Sequence, residues 1–334
     1  MDKEQLRRID LKNRTKLETV IPLQTPFIIN VDPADSCNFS CSFCPTGDRQ
    51  LMKDVGRPFK TMDFDIYKKI IDDIKEFSVP LKVLRLYKDG EPLLNKNFAK
   101  MIKYAKDSGN ILKIDTTTNA SLLNPKRNLE IIEAGLDKIN ISVEGVNAEQ
   151  YMKFSKYKID FDKFVENIKH FYNNKKQCEV VIKINGDTLS EDDKKFFIET
   201  FKDIADGVYI EHIMSCWPEF ELRDGLEVNQ DHGIYGQEIK EVSVCSYVFY
   251  SFSLNSDGQA SLCFLDWSKK LLIGDVRIQS VKDIWQGDKL KEYQKMFLRG
   301  ERKNHQVCKD CGQMSHGLPD DVDKFSVELL KKLD

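Results

Sequence analysis

Apolar residues along this chain switch repeatedly between a two-residue and a helical period. PFIINVD (26–32) reads as a strand. In DFDIYKKIIDDIKEF (63–77), Ile66, Ile70, Ile71, Ile74 and Phe77 fall at helical spacing behind Asp63, which predicts a helix with an aspartate N-cap. Strands follow at 81–87, 111–118, 137–144, 178–185 and 207–213, and helices at 95–109, 125–135, 160–174 and 190–204. The helix at 125–135 opens on Pro125 and closes on Gly135, the usual asymmetry of helix ends. Strands alternating with helices from 26 to 213 predict a mixed α/β fold, with parallel strands joined by right-handed crossovers. A doubly wound sheet and a partial barrel both satisfy the pattern, and in both a ligand binds at the carboxyl ends of the strands.

Beyond about residue 214 the texture changes. Residues 214–240 read as an irregular connection, and 244–267 as a β-hairpin turning on Asn255-Ser256-Asp257-Gly258. Helices are expected at 281–300 and 322–334, while 1–24 reads as a polar extension with one helical turn. The expected organisation is an extension (1–24), a main domain (25–213), a linker (214–240), a small domain (241–315) and a terminal helix (316–334).

Composition narrows the function classes. The 51 Lys and Arg nearly balance the 54 Asp and Glu, which argues against a broad nucleic-acid footprint. No apolar run is long enough to span a membrane, and the charged start MDKEQLRRIDLKNRTK lacks the core of a secretory signal. A cytoplasmic, reducing location is expected. There 9 clustered cysteines point to metal or redox chemistry rather than disulfides.

Cys37, Cys41 and Cys44 form C-x3-C-x2-C just past the first strand. Three thiolates on one loop can hold three corners of a [4Fe–4S] cluster and leave the fourth iron open to a ligand. A zinc loop or buried cysteines are the alternatives. Together with IINVD before it and Phe43 inside it, this motif resembles the radical S-adenosylmethionine (SAM) superfamily. The resemblance implies a partial (β/α)6 TIM-like barrel, a cluster on Cys37, Cys41 and Cys44, and SAM on the open iron. SAM would be cleaved there to a 5′-deoxyadenosyl radical. Asp89-Gly90-Glu91-Pro92 resembles the family's Gly-Gly-Glu-Pro segment, with Asp89 in place of the first glycine. The resemblance makes Gly90, Glu91 and Pro92 candidates for the SAM methionine moiety, with Glu91 receiving the ammonium. Thr118, Asn119, Ser142 and Glu144 resemble further positions facing SAM, Ser142 the ribose. Lys183 and Asn185 share one face of the fifth strand and become candidate substrate contacts if that face is the interior.

Cys245, Cys263, Cys308 and Cys311 make a second set. Four cysteines close a [4Fe–4S] cluster completely or hold a structural zinc. The set resembles the SPASM region in its shortened twitch form, since no cysteine follows Cys311. The resemblance therefore implies SAM and two [4Fe–4S] clusters, with an external one-electron donor such as flavodoxin or ferredoxin. The expected reaction is dehydrogenation of an alcohol of a small molecule, a sugar or amino-cyclitol, with the second cluster accepting the electron. Lys183 is the candidate base, provided burial lowers its pKa. A peptide-modifying maturase is an alternative, as is an epimerase with Cys216 as hydrogen donor. A non-catalytic metal-binding protein is the third.

Overall fold

The computed structural model describes residues 14–214, 216–228 and 231–334. Most of the expected N-terminal extension, 1–13, lies outside them. Six strands run parallel and pair in chain order: β1 (Ile28–Val31), β2 (Leu81–Arg85), β3 (Ile111–Thr118), β4 (Lys138–Val143), β5 (Glu179–Asn185) and β6 (Gly207–Glu211). The predicted crossover helices lie between them. Asp63 caps Phe64–Ile74 by accepting from the amides of Asp65 and Ile66, and Gly135 ends Pro125–Ala134 in the left-handed region (φ 93°). This is the expected α/β architecture with a parallel sheet.

Strand side chains sort by parity. Ile29, Val31, Leu84, Ile114, Ile139, Ile141, Ile182 and Ile184 are buried in the core. The alternate positions are Arg85, Asp115, Asn140, Lys183 and Glu211, which line cavities. Polar side chains are thus carried on one face of every strand from β2 to β6.

Three features differ from the expected elements. Short helices at Arg49–Asp54 and Ala148–Ser155 are additional. The second has few apolar positions because it buries only one edge. Its Phe154 and Ser155 carbonyls accept from the Ser42 and Ser40 amides, so it props the cysteine loop. The helix expected at 281–300 is two helices, Val281–Trp285 and Asp288–Leu298, broken at Gly287. The hairpin, β7 (Ser251–Leu254) and β8 (Gln259–Ser261), gains a third strand, β9 (Leu272–Asp275).

The hairpin also continues the barrel's own sheet. β7 pairs in parallel with β1, from Ile28 opposite Ser251 to Val31 opposite Leu254, giving the order β6-β5-β4-β3-β2-β1-β7-β8-β9. Phe252 of β7 stacks on Trp285, with ring centroids 5.8 Å apart. Gly258 turns the hairpin at φ 89°.

Candidate active site

The first cysteine loop leaves β1 and folds back on itself. Cys37, Cys41 and Cys44 lie close enough that each thiol opposes ionisation of its neighbours. Burial is the larger cause and pushes all three pKa values up. Glu91 adds to this at Cys37 and Glu144 at Cys41. Backbone amides are already aimed at the sulfurs. Cys37 Sγ accepts from the Phe39 amide at 3.4 Å, and Cys44 from those of Thr46 and Gly47. Amide donors on sulfur favour the thiolate and are among the levers that set iron–sulfur potentials.

Asp89-Gly90-Glu91-Pro92 packs directly on this loop. The Glu91 amide donates to the Ser36 carbonyl at 2.9 Å. A Cβ on Gly90 would lie 2.1 Å from the Ala34 carbonyl oxygen and 2.2 Å from that of Ser36, so only glycine allows the approach. Glu91 is buried and engaged within the chain. Oε1 accepts from the Leu93 amide (2.9 Å) and the Thr118 hydroxyl (2.6 Å), and Oε2 accepts from the Asn119 amide (2.8 Å). Asn119 in turn donates to Asn38 Oδ1 at 2.9 Å and lies 3.8 Å from Cys37 Sγ. Glu91, Thr118 and Asn119 therefore form one connected brace behind Cys37. Pro92 begins the short helical turn Pro92–Leu94.

Asp89, the departure from the resembling pattern, is buried as an ion. It accepts from Lys88 Nζ at 2.5 Å and faces Arg57 at 3.9 Å. Arg57 also donates to the Asp35 carbonyl and, at 3.0 Å, to Thr46 Oγ1, which ties both ends of the cysteine loop together. Asp32 ends β1 beside these groups with both carboxyl oxygens buried and unpartnered. Burial, reinforced by Asp89 and opposed by Lys88 and Arg57, lifts its pKa to about 8. Asp32 entered the sequence reading only as the last residue of IINVD, and Lys88 and Arg57 lie outside the quoted motifs.

Ser142, Glu144, Lys183, Asn185, Glu211 and Cys216 line a cavity of about 190 Å³ at the carboxyl ends of β4–β6, with Phe43 of the cysteine loop in its wall. Lys183 lies opposite Ser142 in the ladder and forms an ion pair with Glu211 at 2.7 Å. Glu144, buried and only partly offset by Lys183, has its pKa lifted to about 7. Cys216 is a half-buried thiol, and its desolvation, reinforced by Cys311, pushes its pKa up to about 12. A larger cavity of about 520 Å³ shares Met214 and Ile234 with the first, and Arg85, Tyr87, Asp115, Asn140, Tyr235 and Gln313 are in its lining. Arg85 and Asp115 pair at 3.3 Å. Glu211, Arg85, Asp115 and Asn140 were missed from sequence. Their signal was a polar residue at every second position of otherwise apolar strands.

The second set is gathered on one cavity. Cys245, Cys263, Cys308 and Cys311 line it together with Val248, Leu262, Leu271 and Phe297. Amides again point at sulfur: Leu265 to Cys263 at 3.3 Å, Tyr247 and Val248 to Cys245, and Gln313 and Met314 to Cys311. Among the described residues no three His, Cys, Asp or Glu side chains group as ligands of a single metal ion. Four soft thiols around one shared space with preset amide donors fit a cluster. The first loop, with three thiols, fits one that keeps an open corner. Cys178, the remaining cysteine, is buried in the core.

The connection between barrel and hairpin touches both sets. Cys311 Sγ lies 4.0 Å from the Cys216 carbonyl, and Trp267 donates to the Pro218 carbonyl at 2.8 Å. Farther along, Arg223 donates to the Cys41 carbonyl at 2.7 Å and its amide to that of Ser42 at 3.0 Å.

Residues 31–203, more than half of the chain, match the radical SAM superfamily, and residues 245–312 match an iron–sulfur cluster-binding domain, SPASM. The chain is 21% identical to an AdoMet-dependent heme synthase of Methanosarcina barkeri, over 78% of this chain and 82% of that protein. It is 22% identical to an S-adenosyl-L-methionine-dependent 2-deoxy-scyllo-inosamine dehydrogenase of Niallia circulans, over 86% of this chain and 93% of that protein. In fold it is similar to Streptococcus suis SuiB bound to the precursor peptide SuiA, at 12% identity and a TM-score of 0.60 over 82% of this chain and 68% of that one. Among the described residues no helix is long and apolar enough to cross a membrane. The barrel order of the strands, the three-cysteine loop braced by Gly90 and Glu91, and the family match over 31–203 make this chain a member of the radical SAM superfamily with a C-terminal SPASM iron–sulfur domain.

Proposed function

We propose that the protein is a radical SAM dehydrogenase that oxidises an alcohol of a sugar or amino-cyclitol and holds two [4Fe–4S] clusters. Cys37, Cys41 and Cys44 hold the first, and Cys245, Cys263, Cys308 and Cys311 hold the second. With SAM on the open iron, the first cluster supplies the 5′-deoxyadenosyl radical, using one electron from an external donor such as flavodoxin or ferredoxin. Ser142 and Glu144 line the cavity beside the cysteine loop and suit the ribose end of SAM. Glu91 suits the ammonium, since Oε2 accepts a single hydrogen bond within the chain.

The substrate carbinol carbon gives its hydrogen atom to the radical. Its hydroxyl proton would pass to a carboxylate, and a cluster held by Cys245, Cys263, Cys308 and Cys311 would supply the acceptor for the remaining electron, leaving a carbonyl. One electron enters with SAM cleavage and one leaves with oxidation. Lys183 is reassigned in this scheme. Its ammonium is paired with Glu211 at 2.7 Å, so Lys183 orients the hydroxyl by donating to it and Glu211 accepts the proton.

The observation that carries the reading is the closed second site. Its four thiols line one cavity and would fill every corner of a cluster, and the carbonyl of Cys216, which lines the substrate-side cavity, lies 4.0 Å from Cys311 Sγ. Likeness to a cyclitol dehydrogenase over nearly its full length supports the same substrate class. In the double variant Cys308→Ala, Cys311→Ala, deoxyadenosine should still form while oxidised product falls away. A folded variant with the normal product-to-deoxyadenosine ratio would remove the acceptor role.

A second reading has its own observation. Cys216 lines the cavity of Lys183 and Glu211, and its burial keeps the thiol protonated, as a hydrogen-atom donor in an epimerase requires. Cys216→Ser separates the two: it would stop epimerisation and leave dehydrogenation running.

A further inference from the structure

A cluster held by four thiolates carries two negative charges when oxidised and three when reduced. Around the second site the wall is mostly apolar, and an added charge in such surroundings is strongly disfavoured unless a fixed opposite charge stands near. The wall supplies one. Arg302, 5% exposed, lines the same cavity. Its Nη1 donates to the carbonyls of Cys308 (3.2 Å) and Lys309 (3.4 Å), and its Nε to that of Ser243 (3.1 Å). The guanidinium is thereby locked against the CxxC turn, the corner that faces Cys216 and the substrate side.

The other charges nearby do not duplicate it. Asp266 lines the same cavity, its carboxyl accepting from the amides of Lys270 (2.9 Å) and Leu271 (3.1 Å), and burial pushes its pKa up. Lys88 donates to the Asp266 carbonyl at 3.0 Å and pairs with Asp89, and it is not part of the lining of this cavity. Glu241 approaches Arg302 at 3.7 Å but is 62% exposed, where solvent screens it. Among the described residues that line this cavity, Arg302 is the cation.

We infer that Arg302 sets the potential of the auxiliary cluster, its buried guanidinium stabilising the electron that arrives from the substrate. Arg302 acts through the cluster, so it is a positioning residue and not a catalytic one. The inference deepens the acceptor reading and rests on it for its use in turnover, but its physical content can be measured without turnover.

The test is a redox titration of the full chain loaded with both clusters, followed by EPR. The auxiliary signal is the one that added SAM leaves unchanged. Arg302→Gln should shift the oxidised-to-reduced equilibrium of that signal at least about tenfold toward the oxidised form, about 59 mV for a one-electron couple. Arg302→Lys, which keeps the charge, should restore most of the shift. The first cluster should titrate as in wild type in both. A loaded Arg302→Gln with an unmoved auxiliary potential overturns the inference and leaves Arg302 as a brace for the CxxC turn. If Arg302→Gln fails to load, Arg302→Lys decides. It keeps the charge but not the guanidinium's hold on two carbonyls, so an auxiliary potential near that of wild type upholds the inference, and a tenfold shift toward the oxidised form overturns it. The product-to-deoxyadenosine ratio of the loaded Arg302→Gln variant reads the acceptor role separately. A lowered potential with an unchanged ratio upholds Arg302 and counts against the acceptor reading.

Discussion

Gly90→Ala is the smallest change that should disable the first cluster site. The added methyl would meet two carbonyl oxygens at 2.1 and 2.2 Å and the Ser36 nitrogen at 2.8 Å. Carbon and oxygen settle no closer than roughly 3.3 Å, so one backbone must retreat by about 1 Å. Neither can yield cheaply. Ser36 precedes Cys37, and Glu91 follows Gly90 with its carboxylate pinned by three donors. Overpacking costs typically about 1–3 kcal/mol, and a clash between two backbones belongs at the upper end. Metal ligands hold their distances to within about 0.2 Å, so a shift of this size matters more for the metal than for the fold. Iron and sulfide analysis after anaerobic reconstitution should therefore lose about half the iron, with SAM cleavage abolished and the auxiliary EPR signal intact. Gly56→Ala is the control. Gly56 has φ 74° with nothing within 4 Å of its Cβ position, so alanine there pays only the left-handed strain, roughly 1–2 kcal/mol, and should keep all its iron. A Gly90→Ala protein with full iron and normal SAM cleavage would refute the argument from close approach.

Two further outcomes are expected. Glu91→Gln should weaken SAM binding by about ten- to a hundredfold, the 1.5–3 kcal/mol typical of a hydrogen bond to a charged group, while iron content stays whole; calorimetry with an unchanged SAM affinity would reject the ammonium assignment. Asp32, raised from 3.8 to about 8 chiefly by burial, holds a proton in the folded chain that the unfolded chain releases. Its contribution to stability is therefore full below about pH 3.8 and drains away as pH rises toward 8. Asp32→Asn, neutral throughout, should gain on wild type in urea midpoint between pH 5 and pH 8, and parallel midpoints across that range would disprove a buried, protonated Asp32.

The crossover rhythm, the capped helix at Asp63 and both cysteine sets were legible because each depends on local pattern: period, capping chemistry and close spacing along the chain. What was not legible depends on contacts between distant segments. The pairing of β1 with β7 joins residues more than two hundred apart, and a short strand such as SFSL carries no record of its partner. Asp89 read as a departure from a motif until Lys88 and Arg57 supplied its counter-charges. Lys183 read as a base on the condition of a lowered pKa, and its ion pair with Glu211, on which the proposed scheme gives the base role to the carboxylate, joins strands 28 residues apart. Arg302 stood just past the helix expected at 281–300, among other charges, and gave no sign that the fold would seal it against a cysteine turn.

The shared sheet has a consequence for electron tunnelling. A tunnelling rate falls steeply with distance, so an enzyme that must empty a short-lived radical needs its donor and acceptor at constant separation. Four consecutive rungs tie β1, which leads into the first cysteine loop, to β7, which follows Cys245. Rocking the hairpin against the barrel would break that ladder, so the spacing between the two cysteine sets is built into the backbone.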